Sequence, residues 1–214
     1  MEAPGTASTP NDEAMLRLYD SAVSGNCYKV RLLLAQLERP YERVEVDVID
    51  RSNRPAEIRA TSALEKIPTL RLEDGRLLCE SNAILWFLAQ GTPYLPEDEL
   101  GRQRVLEWLF FEQNSHEPNI ATAIFWVAIA KKPEQLGDAL ARMRDAGNAA
   151  LAAMDRHLAK TPYLVAERYS IADVALYAYT HEAELGGFEL DRYPAVGEWL
   201  ARVREQPRHV PMFP

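Results

Sequence analysis

The apolar pattern of this chain predicts an α/β half followed by an all-α half. Three observations carry that reading. Short alternating runs and helical runs succeed one another up to residue 91. A Pro-rich break, Gly91-Thr92-Pro93-Tyr94-Leu95-Pro96, then interrupts the pattern. Beyond it no alternating run occurs, while helical stripes recur as far as residue 204.

The elements follow in order. Met15-Leu16-Arg17-Leu18-Tyr19 alternates and reads as a strand. Over 26–37, Val30, Leu33, Leu34 and Leu37 fall at helical spacing, with Ser24 or Asn26 as the N-cap. Val44, Val46 and Val48 alternate with charges over 41–48, predicting a second strand, and 54–61 reads as a short polar helix. Strands at 69–72 and 76–79 flank Glu73-Asp74-Gly75, an Asp-Gly hairpin signal. Residues 81–90 form an apolar-faced helix ending near Gly91. The order β-α-β-α-β-β-α is that of a small thioredoxin-like layer.

In the second half, residues 97 to about 116 read as a helix rich in aromatics (Trp108, Phe110, Phe111), and 120–132 continues apolar. Residues 133–158 read as one long amphipathic helix striped by Leu136, Leu140, Met143, Leu151, Met154 and Leu158. The mostly apolar run 171–181 is expected to be buried, and 193–204 is the last helix. The expected organisation is a disordered tail over 1–14, an α/β domain over 15–91, a linker over 92–97 and an all-α domain over 98–214.

Composition narrows the function. The 214 residues are 47% apolar, enough for a sizeable core. A formal charge of −8 argues against a nucleic-acid partner, because phosphate binding needs clustered Lys and Arg. Only two cysteines, Cys27 and Cys79, are present, far from CxxC spacing; this is no disulfide framework and points to a reducing compartment, the cytoplasm. No run is long and apolar enough to span a bilayer. The first 14 residues lack the charged and apolar regions of a signal peptide. His116-Glu117 has no second His four residues on, so no metal site is expected.

The stretch Glu65-Lys66-Ile67-Pro68-Thr69-Leu70, followed by Glu80-Ser81-Asn82-Ala83-Ile84, is the densest in chemical meaning. Pro68 has no N–H, so the segment before it cannot simply pair as a central strand, and the Ile67 main chain is left for a ligand. Ser81 opens a helix whose N–H groups favour a carboxylate. Together they suit a peptide-like anion.

Ile-Pro before the third strand, Glu-Ser opening the third helix, an all-α second half and the capping box Ser170-Ile171-Ala172-Asp173 together resemble the cytosolic glutathione transferases, over about 15–207. Ser24-Gly25-Asn26-Cys27-Tyr28-Lys29-Val30-Arg31 looks most like the bacterial Nu-class and related members, in which a Ser or Thr and an Asn two residues on face the glutathione sulfur.

The resemblance implies glutathione as co-substrate, with Ser24 and Asn26 at the sulfur. It implies Glu80 and Ser81 at the γ-glutamyl group, Ile67 (before a cis Pro68) at the cysteinyl main chain, and Lys66 at the glycine carboxylate. It implies Asp173 as a structural cap and a homodimer. The other substrate is expected to be a small electrophile, a disulfide or a peroxide. Its pocket is expected between the domains, near Phe111, Asn114, His116 and Asn119, with Trp126 and the tail 210–214 as possible covers. The chain departs from the family over Thr61-Ser62-Ala63-Leu64-Glu65, where many members carry Asn-Pro-x-Gly.

The physical requirement is modest. A free thiol with pKa about 8.5 is only a few per cent ionised at neutral pH. Lowering that by two units takes about 2.7 kcal/mol of preferential thiolate stabilisation. A Ser hydroxyl, an Asn amide and a helix N-terminus are suitable sources. Two other readings stand beside this one. In the first, Cys27 is the nucleophile, as cysteines of this loop are in the beta and omega transferase classes. In the second, the chain is a non-catalytic binding module, as stringent-starvation-type regulators and elongation-factor subunits are.

Overall fold

The computed structural model describes residues 15–50, 54–61, 65–165 and 167–213. The expected tail over 1–14 lies outside the described residues.

Four strands, β1 (Leu16–Asp20), β2 (Tyr41–Glu45), β3 (Thr69–Arg71) and β4 (Leu77–Cys79), form one sheet in the order β2-β1-β3-β4. β1 runs parallel to β2 and antiparallel to β3, and β3 and β4 form the hairpin. Strand alternation sends Leu16 and Leu18 of β1 into the main core, where α1 (Gly25–Gln36) and α3 (Ser81–Leu88) contribute Val30, Leu33, Leu34, Ile84 and Leu85. Tyr19 packs on the other face with Val46 and Ile58, the latter from α2 (Ala56–Thr61).

β2 is shorter than the alternation predicts. Asp47 ends it by accepting the N–H groups of Ile49 and Asp50 on one carboxylate oxygen, a local turn that competes with the ladder.

The helical half comprises α4 (Glu99–Phe111), α5 (Glu117–Ile124), α6 (Asp138–Leu158), α7 (Ile171–Thr180) and α8 (Pro194–Arg204). α7 is the central element, packing against α1, α4 and α8. Its N-terminus carries the expected capping box: Asp173 accepts the Ser170 N–H at 2.9 Å, and also the Leu164 N–H at 3.0 Å and Trp199 Nε1–H at 2.9 Å. Burial nonetheless pushes the Asp173 carboxyl up to about 6, against those donors.

Two differences from the sequence reading bear on the site. The helix expected over 133–158 is broken: a short 3₁₀ turn, Pro133–Gln135, is followed by Gly137 at φ +49°, and α6 starts only at Asp138. Between α4 and α5 lies a π-helical turn, Glu112–His116. A π turn holds an extra residue and rotates every downstream side chain relative to an unbroken α-helix.

Candidate functional site

At the end of the sheet, a polar cavity of about 80 Å³ is lined by Asn26, Lys66, Ile67, Pro68, Cys79, Glu80, Ser81, Gln113 and Glu117. Lys66, Ile67 and Pro68 come from the loop before β3, with Ile67–Pro68 cis. Glu80 caps α3 with φ +67°, a backbone conformation that holds its exposed side chain outside the helix. The first half thus supplies one wall; Gln113 and Glu117, on the π turn and α5, supply the other. Residues 62–64, within the stretch that departs from the family pattern, lie outside the described residues.

Ser24 is the N-cap of α1, its hydroxyl oxygen accepting the Cys27 N–H at 3.3 Å. Capping uses a lone pair and leaves the hydroxyl proton available, so the cap and a donor role are compatible. The Asn26 N–H donates to Tyr179 Oη of α7 at 3.0 Å. These two N–H groups of the first turn are therefore committed within the protein. Gly25 is required here: a Cβ would collide with the Tyr179 ring.

Cys27 is fully buried, and burial, with Asp20 adding, pushes its thiol up to about 12. A thiol so placed is a packing group, which counts against the nucleophile reading.

Beneath the cavity runs a buried polar network that joins the two halves. Lys29 Nζ donates to Glu112 Oε1 at 2.8 Å, to Ser81 Oγ at 3.3 Å and to Asn82 Oδ1 at 3.3 Å. Both members of the Lys29–Glu112 pair are entirely inaccessible. Burial pushes the Glu112 carboxyl up, but Lys29, with Gln113 and His116, outweighs it and holds the carboxyl below its ordinary value. Ser81 Oγ–H donates to Asn26 Oδ1 at 3.0 Å, and Asn26 Nδ2 donates to Glu117 Oε1 at 3.1 Å.

A second, apolar cavity of about 120 Å³ adjoins Ser24. It is lined by Val48, Ile124, Phe125, Ile129 and Tyr179 among others, and closed by Met212 and Phe213 of the C-terminal segment. That segment is tied down by Tyr28 Oη–H donating to the Val210 carbonyl at 2.7 Å and Arg31 to the Met212 carbonyl at 3.1 Å.

The four residues expected around such a pocket line neither cavity. His116 is buried, its Nε2 2.9 Å from Thr180 Oγ1, and burial lowers its pKa to about 4. Asn114 and Asn119 donate back to the Phe110 and Ser115 carbonyls of their own helix. Phe111 packs on Trp108 in an open groove of about 970 Å³ on the far side of α4. That groove is the larger feature but holds none of the polar groups gathered around α1. Gln113, within the π turn, and Glu117, directly after it, face the polar cavity instead. Trp126 lines neither cavity, whereas Met212 and Phe213 of the expected cover do.

The family model described as "Glutathione S-transferase, N-terminal domain" matches residues 18–96, and that described as "Glutathione S-transferase, C-terminal domain" matches residues 137–202. A solved glutathione S-transferase from Pseudomonas fluorescens is 48% identical with a TM-score of 0.90, over 94% of this chain and 100% of that one. The chain belongs to the glutathione S-transferase family.

Among other members, a glutathione transferase family structure from Pseudomonas fluorescens with two glutathione molecules bound is 26% identical, with a TM-score of 0.81 over 92% of each chain. The disulfide-bond oxidoreductase YfcG of Escherichia coli is 29% identical over 90% of this chain and 92% of its own length. Within this glutathione S-transferase, Gln113, Glu117, Tyr179 and Lys29 join the cavity or its support without having been singled out by the sequence. Lys29 alone left a trace there, as a charge within the apolar run of the first helix. Among the described residues, no helix is long and apolar enough to cross a membrane, and no group of three or more His, Cys, Asp or Glu is placed to hold a metal.

Proposed function

We propose that the polar cavity holds glutathione, that Ser24 and Asn26 stabilise its thiolate, and that the second substrate enters through the apolar cavity beside Ser24. One observation carries this reading. Asn26, Lys66, Ile67, Pro68, Glu80 and Ser81 are scattered over 56 positions of sequence yet line one small polar cavity.

Glutathione lies with its γ-glutamyl carboxylate on the Ser81 N–H at the α3 N-terminus and its ammonium on Glu80. The Ile67 main chain pairs with the cysteinyl residue, and Lys66 reaches the glycine carboxylate. Because the Ser81 hydroxyl is turned inward to Asn26, its main-chain N–H carries the carboxylate contact. The sulfur then falls between Ser24, which lines the apolar cavity, and Asn26, which lines the polar one.

The thiol gives its proton to solvent, and the thiolate attacks. With an electrophilic carbon, a C–S bond forms and the leaving group departs with the bonding pair. With a disulfide, the thiolate takes one sulfur and expels the other as a thiolate; a second glutathione then releases oxidised glutathione. The relative named as a disulfide-bond oxidoreductase supports the disulfide route beside conjugation. The chain works as a cytoplasmic homodimer in this reading, and the exposed Phe87 of α3 and Phe110 of α4 suit an apolar contact between subunits.

Retention on immobilised glutathione with elution by the free tripeptide, followed by glutathione-dependent turnover of an aryl halide and of a mixed disulfide, tests the proposal. Binding without either turnover leaves a non-catalytic module; no retention at millimolar glutathione removes the reading.

A further inference from the structure

We propose that Glu117 is a positioning residue of the sulfur site, holding the Asn26 carboxamide with its nitrogen toward the cavity. This rests on the cavity being the glutathione site.

The inference comes from the direction of a hydrogen-bond chain. It runs Lys29 Nζ to Ser81 Oγ, Ser81 Oγ to Asn26 Oδ1, and Asn26 Nδ2 to Glu117 Oε1. An ammonium only donates and an ionised carboxylate only accepts. The Ser81 oxygen accepts a hydrogen bond from Lys29, and its own O–H donates to Asn26 Oδ1. That turns the amide's NH₂ to Glu117, which accepts one of its two N–H bonds. The second has no acceptor among the described residues and is left for a ligand.

The donor end of the chain and the Asn26 main chain are fixed. Lys29 spends its other donors on Glu112 and Asn82, and Glu112 Oε2 accepts from Asn82 Nδ2 at 2.9 Å and Gln113 Nε2 at 2.7 Å. The Asn26 main chain is held by Tyr179.

The groups around Glu117 are Lys29 on α1, Glu112 on the π turn, Lys66 before β3 and Tyr179 on α7, with Glu80 lining the same cavity. Burial raises the Glu117 carboxyl most and Glu112 adds to it, outweighing the lowering by Lys29, Asn26 and Lys66. A carboxylate beside a developing thiolate is an electrostatic liability. As a bystander, its removal lowers the pKa of the bound thiol. As the group that orients Asn26, its removal raises that pKa. The two roles predict opposite signs.

The test compares wild type, Glu117→Leu and Glu117→Gln. The readouts are retention on immobilised glutathione, ionisation of bound glutathione by the ultraviolet thiolate band against pH, and steady-state kinetics. Leu, which removes the acceptor, is expected to move thiol ionisation to higher pH and lower kcat at neutral pH about tenfold, with KM for glutathione changed less than about threefold. Gln keeps an acceptor oxygen and is expected to restore most of both. Thiol ionisation moving to lower pH in both variants, or staying unmoved in both, overturns the proposal while leaving glutathione binding intact. Wild type that fails to bind glutathione overturns the reading of the cavity and this role with it. Should the Leu variant not fold, Glu117→Ala takes its place: thiol ionisation moved to higher pH supports the role, and ionisation unmoved or moved to lower pH overturns it.

Discussion

Lys29 of α1 and Glu112 of the π turn meet at 2.8 Å with no solvent access to either side chain. They are opposite charges within a buried polar network, and between them they brace Ser81, Asn82 and Gln113. Removing one partner strands a buried charge, which typically costs about 3–5 kcal/mol, whereas replacing both with apolar residues costs far less. Lys29→Met and Glu112→Leu are therefore each expected to be strongly destabilising in urea denaturation, and the double variant to be more stable than either single one. A double variant as unstable as the sum of the singles overturns this.

The close approach of Gly25 to Tyr179 links α7 to the sulfur site. A Cβ at Gly25 collides with the Tyr179 ring, so Gly25→Ala must displace the ring and the hydroxyl that accepts the Asn26 N–H. Tyr179→Phe removes only the hydroxyl, at a cost of about 1 kcal/mol. Gly25→Ala is expected to lose more in both thermal stability and glutathione affinity than Tyr179→Phe, as calorimetry can measure.

Ser24 and Cys27 share one turn but separate cleanly by substitution. Ser24→Ala loses the α1 cap, worth about 1 kcal/mol, together with most glutathione-dependent turnover. Cys27→Ala is expected to keep turnover within about twofold, because a thiol whose pKa is near 12 contributes no thiolate at neutral pH. Loss of activity in Cys27→Ala with retention in Ser24→Ala would reverse the assignment.

His116 predicts acid lability. Burial, opposed by Glu112 and aided by Lys29, lowers its pKa to about 4, so the folded protein binds fewer protons than the unfolded chain between that value and the ordinary imidazole value of about 6.5. The stability it contributes is whole above that window and is lost as pH falls through it, by up to about 1.4 kcal/mol per pH unit. His181, also lowered to about 4, acts in the same direction, while Asp173, raised to about 6, opposes both. His116→Gln is expected to flatten the fall in urea midpoint between pH 7 and pH 5; an unchanged slope rules His116 out as the cause.

Met212 and Phe213 close the apolar cavity. Phe213→Ala is expected to raise KM for a bulky electrophile severalfold while leaving glutathione affinity unchanged. Equal changes in both would mean that the segment supports the whole site rather than one pocket.

Much of this was legible in the residues. The Asp-Gly hairpin, the Ser170–Asp173 box, the Ser24 cap and the Ile67-Pro68 and Glu80-Ser81 pairs act through their immediate chain neighbours, so local periodicity and cap chemistry reveal them. The sequence by itself therefore determined the order of elements, the two-part architecture and the first half's wall of the cavity. Tertiary structure decided the rest. Gln113, within the π turn, and Glu117, directly after it, face the cavity, while His116 packs in the core and Phe111 in the far groove. The burial of Lys29 against Glu112, 83 positions away, fixed the direction of the hydrogen bonds that reach Asn26. Neither is visible in one sequence, because a helix pattern records which faces are apolar and leaves open which face of another helix each will meet.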